Sequence, residues 1–411
     1  MSHVVIIGCG VVGAAIAYEL SKVPGLKITV LDKQSPAQGA TGAALGVLMG
    51  VISHKIKGNA WRMRQASMQR YETLIPELEA LTGRQIPFNR QGILMLLPGQ
   101  ESRNAEEDLA DWEKLVKIRS SQGWQLEIWD AAQVKSRCPH LNCERITAVY
   151  SPQDRQVDPV ALTLAMVDAA QRNGVTFQFG VTVEGYYLDT TLNTQRLSLK
   201  IQTSLEANHE APLLENVDWL VMAAGLGSSQ FQSLREIQGW ATPQSASNII
   251  LNSLPHESNS YQPSAETRQI VDIKPVLGQA IHLQLSRRLG NPDFQPVITG
   301  DDVHIVPCDL SKQAADYWVG ATVEFPTDGM DIVPTPAKLE AVMEKAIAFC
   351  PALAEATVIK TWSGLRPRPE GRPAPIIEQL QGSNILLATG HYRNGVLLAP
   401  ATAQIIRQMI G

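Results

Sequence analysis

The stretch VVIIGCGVVGAAIAYEL, residues 4–20, followed by ITVLDK, residues 28–33, decides the fold of this 411-residue chain. Val4 to Ile7 is a short apolar, β-branched run of the kind that forms a buried parallel strand. Gly8, Gly10 and Gly13 follow it as G-x-G-x-x-G. In that spacing the first glycine permits a tight turn, the second lets a pyrophosphate approach the backbone, and the third lets the next helix pack closely on the strand. That helix, Val12 to about Ser21, aims its unpaired N–H groups at the phosphates. A second strand, Lys27 to Leu31, ends in Asp32, at the offset where a carboxylate receives a ribose hydroxyl. Glycines alone also mark ordinary turns. With strand, helix and acid in place the reading is a dinucleotide site, and the acid favours NAD or FAD over a 2′-phosphorylated cofactor.

The length predicts two or three domains and a sizeable core. A formal net charge of −5 gives no basis for nucleic acid or an anionic membrane surface as a partner. The apolar run Ala43 to Ile52 is far short of the ~20 residues that span a bilayer, and the first strand lacks the basic leader of a signal peptide. Cys9, Cys138, Cys143, Cys308 and Cys350 are scattered. Cys138 and Cys143 lack a second pair or a nearby histidine set, so no metal site is expected. Reduced thiols in a cytoplasmic protein are the expectation.

Further along, QGATGAALGVLMG, Gln38 to Gly50, predicts an alanine-rich helix start suited to a second phosphate contact, or else a tightly packed core helix. Asn59 to Leu81 reads as a helix, Gly83 to Leu97 ends in the strand GILMLL, and Glu101 to Ser120 is a charged amphipathic helix. This break in strand–helix alternation predicts an insertion that begins a second domain. Asp158-Pro159 starts a helix to about Arg172, VTFQF is a strand, and Val181 to Ile201 alternates like a hairpin. Trp219 to Ala223 is a buried strand entering the glycine turn Ala224 to Ser228. AIHLQL, VHIVP and YWVGAT, between Lys274 and Thr322, predict a mostly antiparallel sheet. Ala337 to Phe349 is helical, Ile385 to Ala388 is a last buried strand, and GHYRNGVLLAPATAQIIRQMI is a loop entering a C-terminal helix. The expected class is α/β. A Rossmann-like dinucleotide domain (1–82, 144–230 and 355–411) is joined to an α+β domain with a mostly antiparallel sheet (83–143 and 231–354).

Several separated stretches together resemble one family. The fingerprint with Asp32, GATGAALGVL, VDP at Val157 to Pro159, MAAG at Met222 to Gly225, KPVLGQ at Lys274 to Gln279, GLRP at Gly364 to Pro367 and HYRNGVLLAPAT resemble the FAD-dependent D-amino-acid oxidase superfamily. Within it they look most like the glycine oxidases of thiamine-thiazole synthesis. The resemblance spans nearly the whole chain and implies a glutathione-reductase-like FAD fold with non-covalent FAD. It implies that Gly8, Gly10, Val11, Val12 and Gly13 hold the pyrophosphate, Asp32 with Lys33 the adenosine ribose, and Val183 the adenine. Ala40, Thr41, Ala44, Gly46 and Val47 line the flavin side, and Ala224 and Gly225 close the pocket. Arg393, Asn394, Gly395, Val396 and Leu397 lie at the flavin's pyrimidine edge, where helix N–H groups meet the negative charge of the reduced ring.

An amino-acid carboxylate in a low-dielectric pocket needs a fixed cation. The resemblance implies Arg366 of GLRP for that role, with Arg393 as a second cation. Two positions depart from the pattern: His304 stands where the resemblance implies a tyrosine, and reads either as a core or surface histidine or, if it faces the flavin, as a pH-sensitive contact to the carboxylate; Val323 replaces a pocket methionine. Arg368 and Arg372 read as solvated residues of a proline-rich loop. The implied activity is hydride transfer from Cα of glycine, sarcosine or a small D-amino acid to the flavin, with dioxygen as acceptor and no obligatory protein base. The implied assembly is a homotetramer. Competing readings are another amine oxidase or a dehydrogenase of the superfamily, a nicotinamide-dependent dehydrogenase, and a flavin-loaded scaffold without turnover.

Overall fold

A computed structural model describes residues 1–97, 105–142, 147–189, 196–203, 213–229, 271–308, 315–326, 332–381 and 383–411. Cys143 and residues 231–270 of the expected second domain lie outside them. The first strand, Ser2–Ile7, pairs parallel with Leu26–Asp32 on one side and Trp219–Met222 on the other. Thr176–Phe179 and Ile385–Thr389 extend this sheet in parallel, and Ile376–Gln379 closes it antiparallel at one edge. One face is covered by the helices Val11–Leu20, Gly58–Thr82, Pro159–Arg172 and Gly395–Ile410, which share a core with Val4 and Ile6. On the other face Val5, Leu31 and Leu220 pack against the three strands Val181–Asp189, Arg196–Thr203 and Leu213–Val217. Central strands buried on both faces need continuous apolar sequence, which is why VVII, TVL and LVM show no alternation. Helix Pro159–Arg172 begins where its sequence says: Asp158 accepts the N–H groups of Val160 and Ala161, each at 2.9 Å.

The second sheet runs in the order Thr357–Pro369, Ile273–Leu285, Ala315–Gly320, Val303–Pro307, Val297–Gly300, Ile93–Leu96, Ala148–Ser151, Glu127–Trp129. All its neighbours are antiparallel except Val297–Gly300 with Ile93–Leu96. Helix Pro336–Phe349 packs on it through Val342, Ala346 and Phe349. Ala148–Ser151 and Thr357–Pro369 therefore pair in this sheet, although the chain on their C-terminal side returns to the first one. No described helix is long and apolar enough to cross a membrane.

Two local expectations need correction. Gln38 to Gly50 forms no helix; residues 36–43 are turns, followed by the strand Val47–Leu48 paired with Arg155–Val157. Gly46 has φ of +72°, and a Cβ there would run into the Val157 carbonyl oxygen, so a right-handed helix cannot pass through it. The GLRPRP segment is strand, not loop. Pro367 and Pro369 are tolerated because their strand is the edge of the sheet. Arg368 consequently sits half-buried, 5.3 Å from the Phe325 ring, while Arg372 pairs with Glu378 at 2.6 Å.

The loop after Gly50 is held from two sides by buried charge. Asp154 accepts the N–H groups of Gly50 and Val51 at 2.7 Å and of Ile52 at 2.8 Å. Arg119, fully buried over the Trp61 ring, donates to the carbonyls of Val51 (2.7 Å), Ser53 (2.6 Å) and Lys55 (3.0 Å). Replacing it strands those carbonyls and leaves the buried Asp154 without its field. Arg119→Ala is expected to lower the unfolding free energy by about 3–5 kcal/mol, seen as a lower urea midpoint at unchanged slope.

His140 is half-buried and His391 buried, and desolvation pushes each imidazole down to about 4 from 6.5. Between those values the unfolded chain takes up protons that the folded chain refuses, so their contribution is full above 6.5 and is lost as pH falls toward 4. The urea midpoint should accordingly drop between about pH 7 and about pH 5; an unchanged midpoint would mean that these rings titrate freely in the folded protein.

Candidate active site

The glycine turn is built as its spacing predicts. A Cβ on Gly13 would run into the Gly8 carbonyl oxygen, so helix Val11–Leu20 approaches the first strand to a distance that only glycine allows. Gly10 precedes that helix and supplies no side-chain cap; the Thr41 hydroxyl oxygen instead accepts the Val11 N–H at 3.0 Å. Asp32 accepts the N–H groups of Cys9 at 2.5 Å and Gln34 at 2.8 Å, which fixes its carboxylate beside the turn. Val12 is half-buried, and Lys33 and Ala40 are exposed. Ala224 and Gly225 follow the neighbouring strand, and the Gly225 carbonyl accepts the Thr389 hydroxyl at 3.2 Å. Val183, half-buried, packs with the core that joins the three-stranded sheet to Leu31. Helix N–H groups, a fixed carboxylate one strand away and a turn whose own positions 8, 10 and 13 carry no side chain fit a dinucleotide.

Ala40, Thr41, Ala44, Gly46 and Val47 lead from this turn to the second sheet. Ala43 makes the junction: its carbonyl accepts the Trp362 indole N–H at 3.1 Å, and its methyl lies against Gly364. The strand that bears Arg366 is thus laid directly on the segment expected beside the flavin.

Arg366 faces Val276 in register, and its guanidinium lies over Gly278, where a Cβ would collide with it. Its Nη1 donates to the carbonyls of Leu277 and Thr322, both at 3.0 Å. Among the described residues Nε and Nη2 have no hydrogen-bond partner. Thr322 is itself fixed, its hydroxyl accepting the Gln279 N–H at 2.8 Å and donating to Glu324 at 2.6 Å. The Gln279 amide also donates to Glu324, at 2.7 Å, and Lys338 approaches that carboxylate at 3.3 Å. Burial would raise the Glu324 pKa; the hydrogen bonds from Thr322, Gln279 and Lys338 outweigh it and leave the carboxyl lowered and charged.

His304 lies opposite Gly320 in register, where GATV begins, and its Nδ1 shares a hydrogen bond with the Thr299 hydroxyl at 2.8 Å. Burial, and after it the Arg393 guanidinium, push its pKa down to about 4. The ring is accordingly neutral at ordinary pH, and its titration falls near 4. Arg366 also bears on His304, and Arg393 on Arg366, so the three share one electrostatic neighbourhood. Val323 follows Thr322 and is half-buried. Arg393 itself is exposed and follows Tyr392, a non-glycine residue at φ +53°. Asn394 then opens the last helix without capping it, ahead of Gly395, Val396 and Leu397.

Sequence reasoning named the residues that carry charge and passed over those that place them, namely Trp362, Gln279, Thr322, Glu324 and Arg64. Trp362 and Gln279 look like ordinary strand residues, and Thr322 and Glu324 like residues of the turn after a strand. Arg64 left a signal, because Trp61, Arg64, Met68 and Tyr71 share one buried helix face and a charge there interrupts an apolar stripe.

Comparison with known proteins agrees with this geometry. A family model described as FAD dependent oxidoreductase (DAO) matches residues 3–268 and 256–409. The bifunctional protein ThiO/ThiG of Trichormus variabilis is 29% identical over 416 residues, 99% of this chain and 52% of that protein, so the chain spans about half the length of that relative. The glycine oxidase of Bacillus subtilis is 27% identical over 410 residues, 99% of this chain and 92% of that protein. The crystal structure of glycine oxidase from Geobacillus kaustophilus shares the fold, with a TM-score of 0.77 at 21% identity across 100% of this chain and 95% of that one. A dinucleotide cradle joined to a half-buried arginine, under a family match that covers nearly the full chain, makes this protein a member of the DAO family of FAD-dependent oxidoreductases, with FAD as its cofactor.

Proposed function

We propose that the chain oxidises glycine to glyoxylate, releasing ammonia and, with dioxygen as acceptor, hydrogen peroxide. The observation that carries this reading is the gathering of Arg366, Arg393 and neutral His304 where the segment Ala40 to Val47 meets the Arg366 strand. Bound FAD supplies the hydride acceptor. The chain's own part is to bind and orient. The uncommitted Nε and Nη2 of Arg366 offer a planar pair of donors to one carboxylate. Gly278 and the Thr322 carbonyl hold that fork in place beforehand, so little reorganisation remains on binding. Arg393 adds positive charge that attracts an anionic substrate, and His304 offers Nε2 as a polar contact without a third cation.

On the cofactor side, the reading assigns Gly8, Gly10, Val11, Val12 and Gly13 to the pyrophosphate, Asp32 and Lys33 to the ribose, and Val183, Ala224 and Gly225 to the adenosine end. Ala40, Thr41, Ala44, Gly46 and Val47 flank the flavin, and Arg393 to Leu397 meet its pyrimidine edge. In this reading hydride loss from glycine gives an imine that water hydrolyses to glyoxylate and ammonia, and the imine has a use in thiazole formation for thiamine, in a homotetramer whose FAD-binding parts are 1–82, 144–230 and 355–411.

Anaerobic mixing of the FAD-loaded chain with glycine should bleach the flavin band, and air should restore it with formation of peroxide. Bleaching by sarcosine or D-alanine alone would move the substrate to that amine, and no bleaching by any of them would end the oxidase reading. Arg366→Lys keeps the charge and loses the planar pair. It is expected to raise the glycine KM about 100-fold, roughly 3 kcal/mol, with a smaller change in kcat.

A further inference from the structure

Arg64 is a buried cation whose hydrogen bonds, among the described residues, all go to neutral groups. It is 8% exposed on the inner face of helix Gly58–Thr82. Its Nη1 donates back to the Ala60 carbonyl of its own helix at 2.9 Å, Nη2 reaches the Asn394 side-chain oxygen at 3.3 Å, and Nε is buried with no hydrogen-bond partner among the described residues. Asp154 attracts it from a distance, but that carboxylate is committed to three backbone N–H groups and shares its field with Arg119. A guanidinium stays charged even when buried, so its desolvation is largely uncompensated here. Packing does not explain its presence, since a methionine of similar length would fill the same stripe between Trp61 and Met68.

Its contact with Asn394 points to a use. An asparagine just before a helix ordinarily turns its side-chain oxygen onto the N–H groups of the first turn. Asn394 makes no such bond, because that oxygen is drawn to Arg64. The first-turn N–H groups of helix Gly395–Ile410 are left without a side-chain cap, at the end of the helix that carries partial positive charge. The helix of Arg64 also fixes this turn directly: the Tyr71 hydroxyl donates to the Val396 carbonyl at 2.5 Å, and the Ser67 hydroxyl accepts the Ala401 N–H at 3.2 Å.

We propose that Arg64 is a positioning residue for the flavin: it holds the Asn394 side chain off the helix end and sets a buried positive charge behind the N–H groups that receive the pyrimidine edge, favouring the reduced, negatively charged ring. The inference rests on the placement of that edge given under the proposed function, but not on which amine is oxidised.

The test uses the full chain loaded with FAD, with sulfite as the probe, since sulfite addition also leaves negative charge on the ring. Arg64→Met should lower the flavin midpoint potential by about 30 mV, tenfold in the two-electron equilibrium, and weaken sulfite binding about tenfold. Arg64→Lys, which keeps a cation, should stay within about threefold of the parent for sulfite. Should the methionine variant not load FAD, Arg64→Gln gives the same comparison of charge with a polar group retained. Parent potential and sulfite affinity in an uncharged variant would overturn the proposal. A chain that binds FAD but oxidises none of the amines leaves this comparison intact, so the two readings fail separately; a parent chain that takes up no FAD overturns both.

Discussion

The close approach of the first helix to the first strand is the constraint on which the remaining architecture depends. With no side chain at Gly8 or Gly13, the start of helix Val11–Leu20 sits at the carboxyl end of the parallel strands, where Asp32 also ends. The third strand of that group comes from far along the chain, and it too closes on the same glycine: a Cβ on Gly8 would run into the Ala223 carbonyl oxygen. Ala224 and Gly225 are brought to the mouth of the turn by that packing. Thr389, from the next strand over, is then tied to Gly225, which fixes where the HYRNG turn begins.

Local chemistry made this half of the molecule readable. Glycine spacing, a capping Asp158 and continuous apolar strands act within one or two elements, so their signature is written in adjacent residues. The misreadings have physical causes of the opposite kind. Gln38 to Gly50 has the alanine content of a helix start, but Gly46 is pressed against Val157, a residue it meets only in the folded chain. The prolines of GLRPRP suggest a loop because proline cannot donate to a ladder, yet on an edge strand one side needs no donors. Which strand would be an edge is a property of the whole sheet.

The candidate site follows the same division. Arg366 and Arg393 are visible as residue types in recognisable motifs, and their convergence is not. It requires the Ala43 carbonyl to receive Trp362, which lays one sheet on the other, and the Thr322 carbonyl to receive Arg366. His304 shows how burial changes a residue's meaning: an isolated histidine suggests a switch near neutrality, whereas this one, enclosed and close to two guanidiniums, holds its neutral form.

Three arginines, Arg119 and Arg64 buried and Arg366 half-buried, separate by how much of each fork the fold consumes. Arg119 gives Nε to one carbonyl, Nη2 to two more and Nη1 to the Gln122 side chain, so every nitrogen is engaged and two of the three hold the loop. Arg366 is anchored by comparable carbonyl bonds, but through Nη1 alone. Arg64 leaves Nε unmatched in a place water does not readily reach. A buried cation with every nitrogen engaged is a structural device whose charge is largely met by carbonyl dipoles. One with donors left over still projects its field, and in a low-dielectric setting that field reaches whatever anion the neighbouring helix end was left open to receive. On the proposed reading Arg366 would face the substrate carboxylate in this way and Arg64 would stand behind the helix end that meets the flavin, so positive charge would reach the site from two sides, through groups whose anchoring in the fold is incomplete.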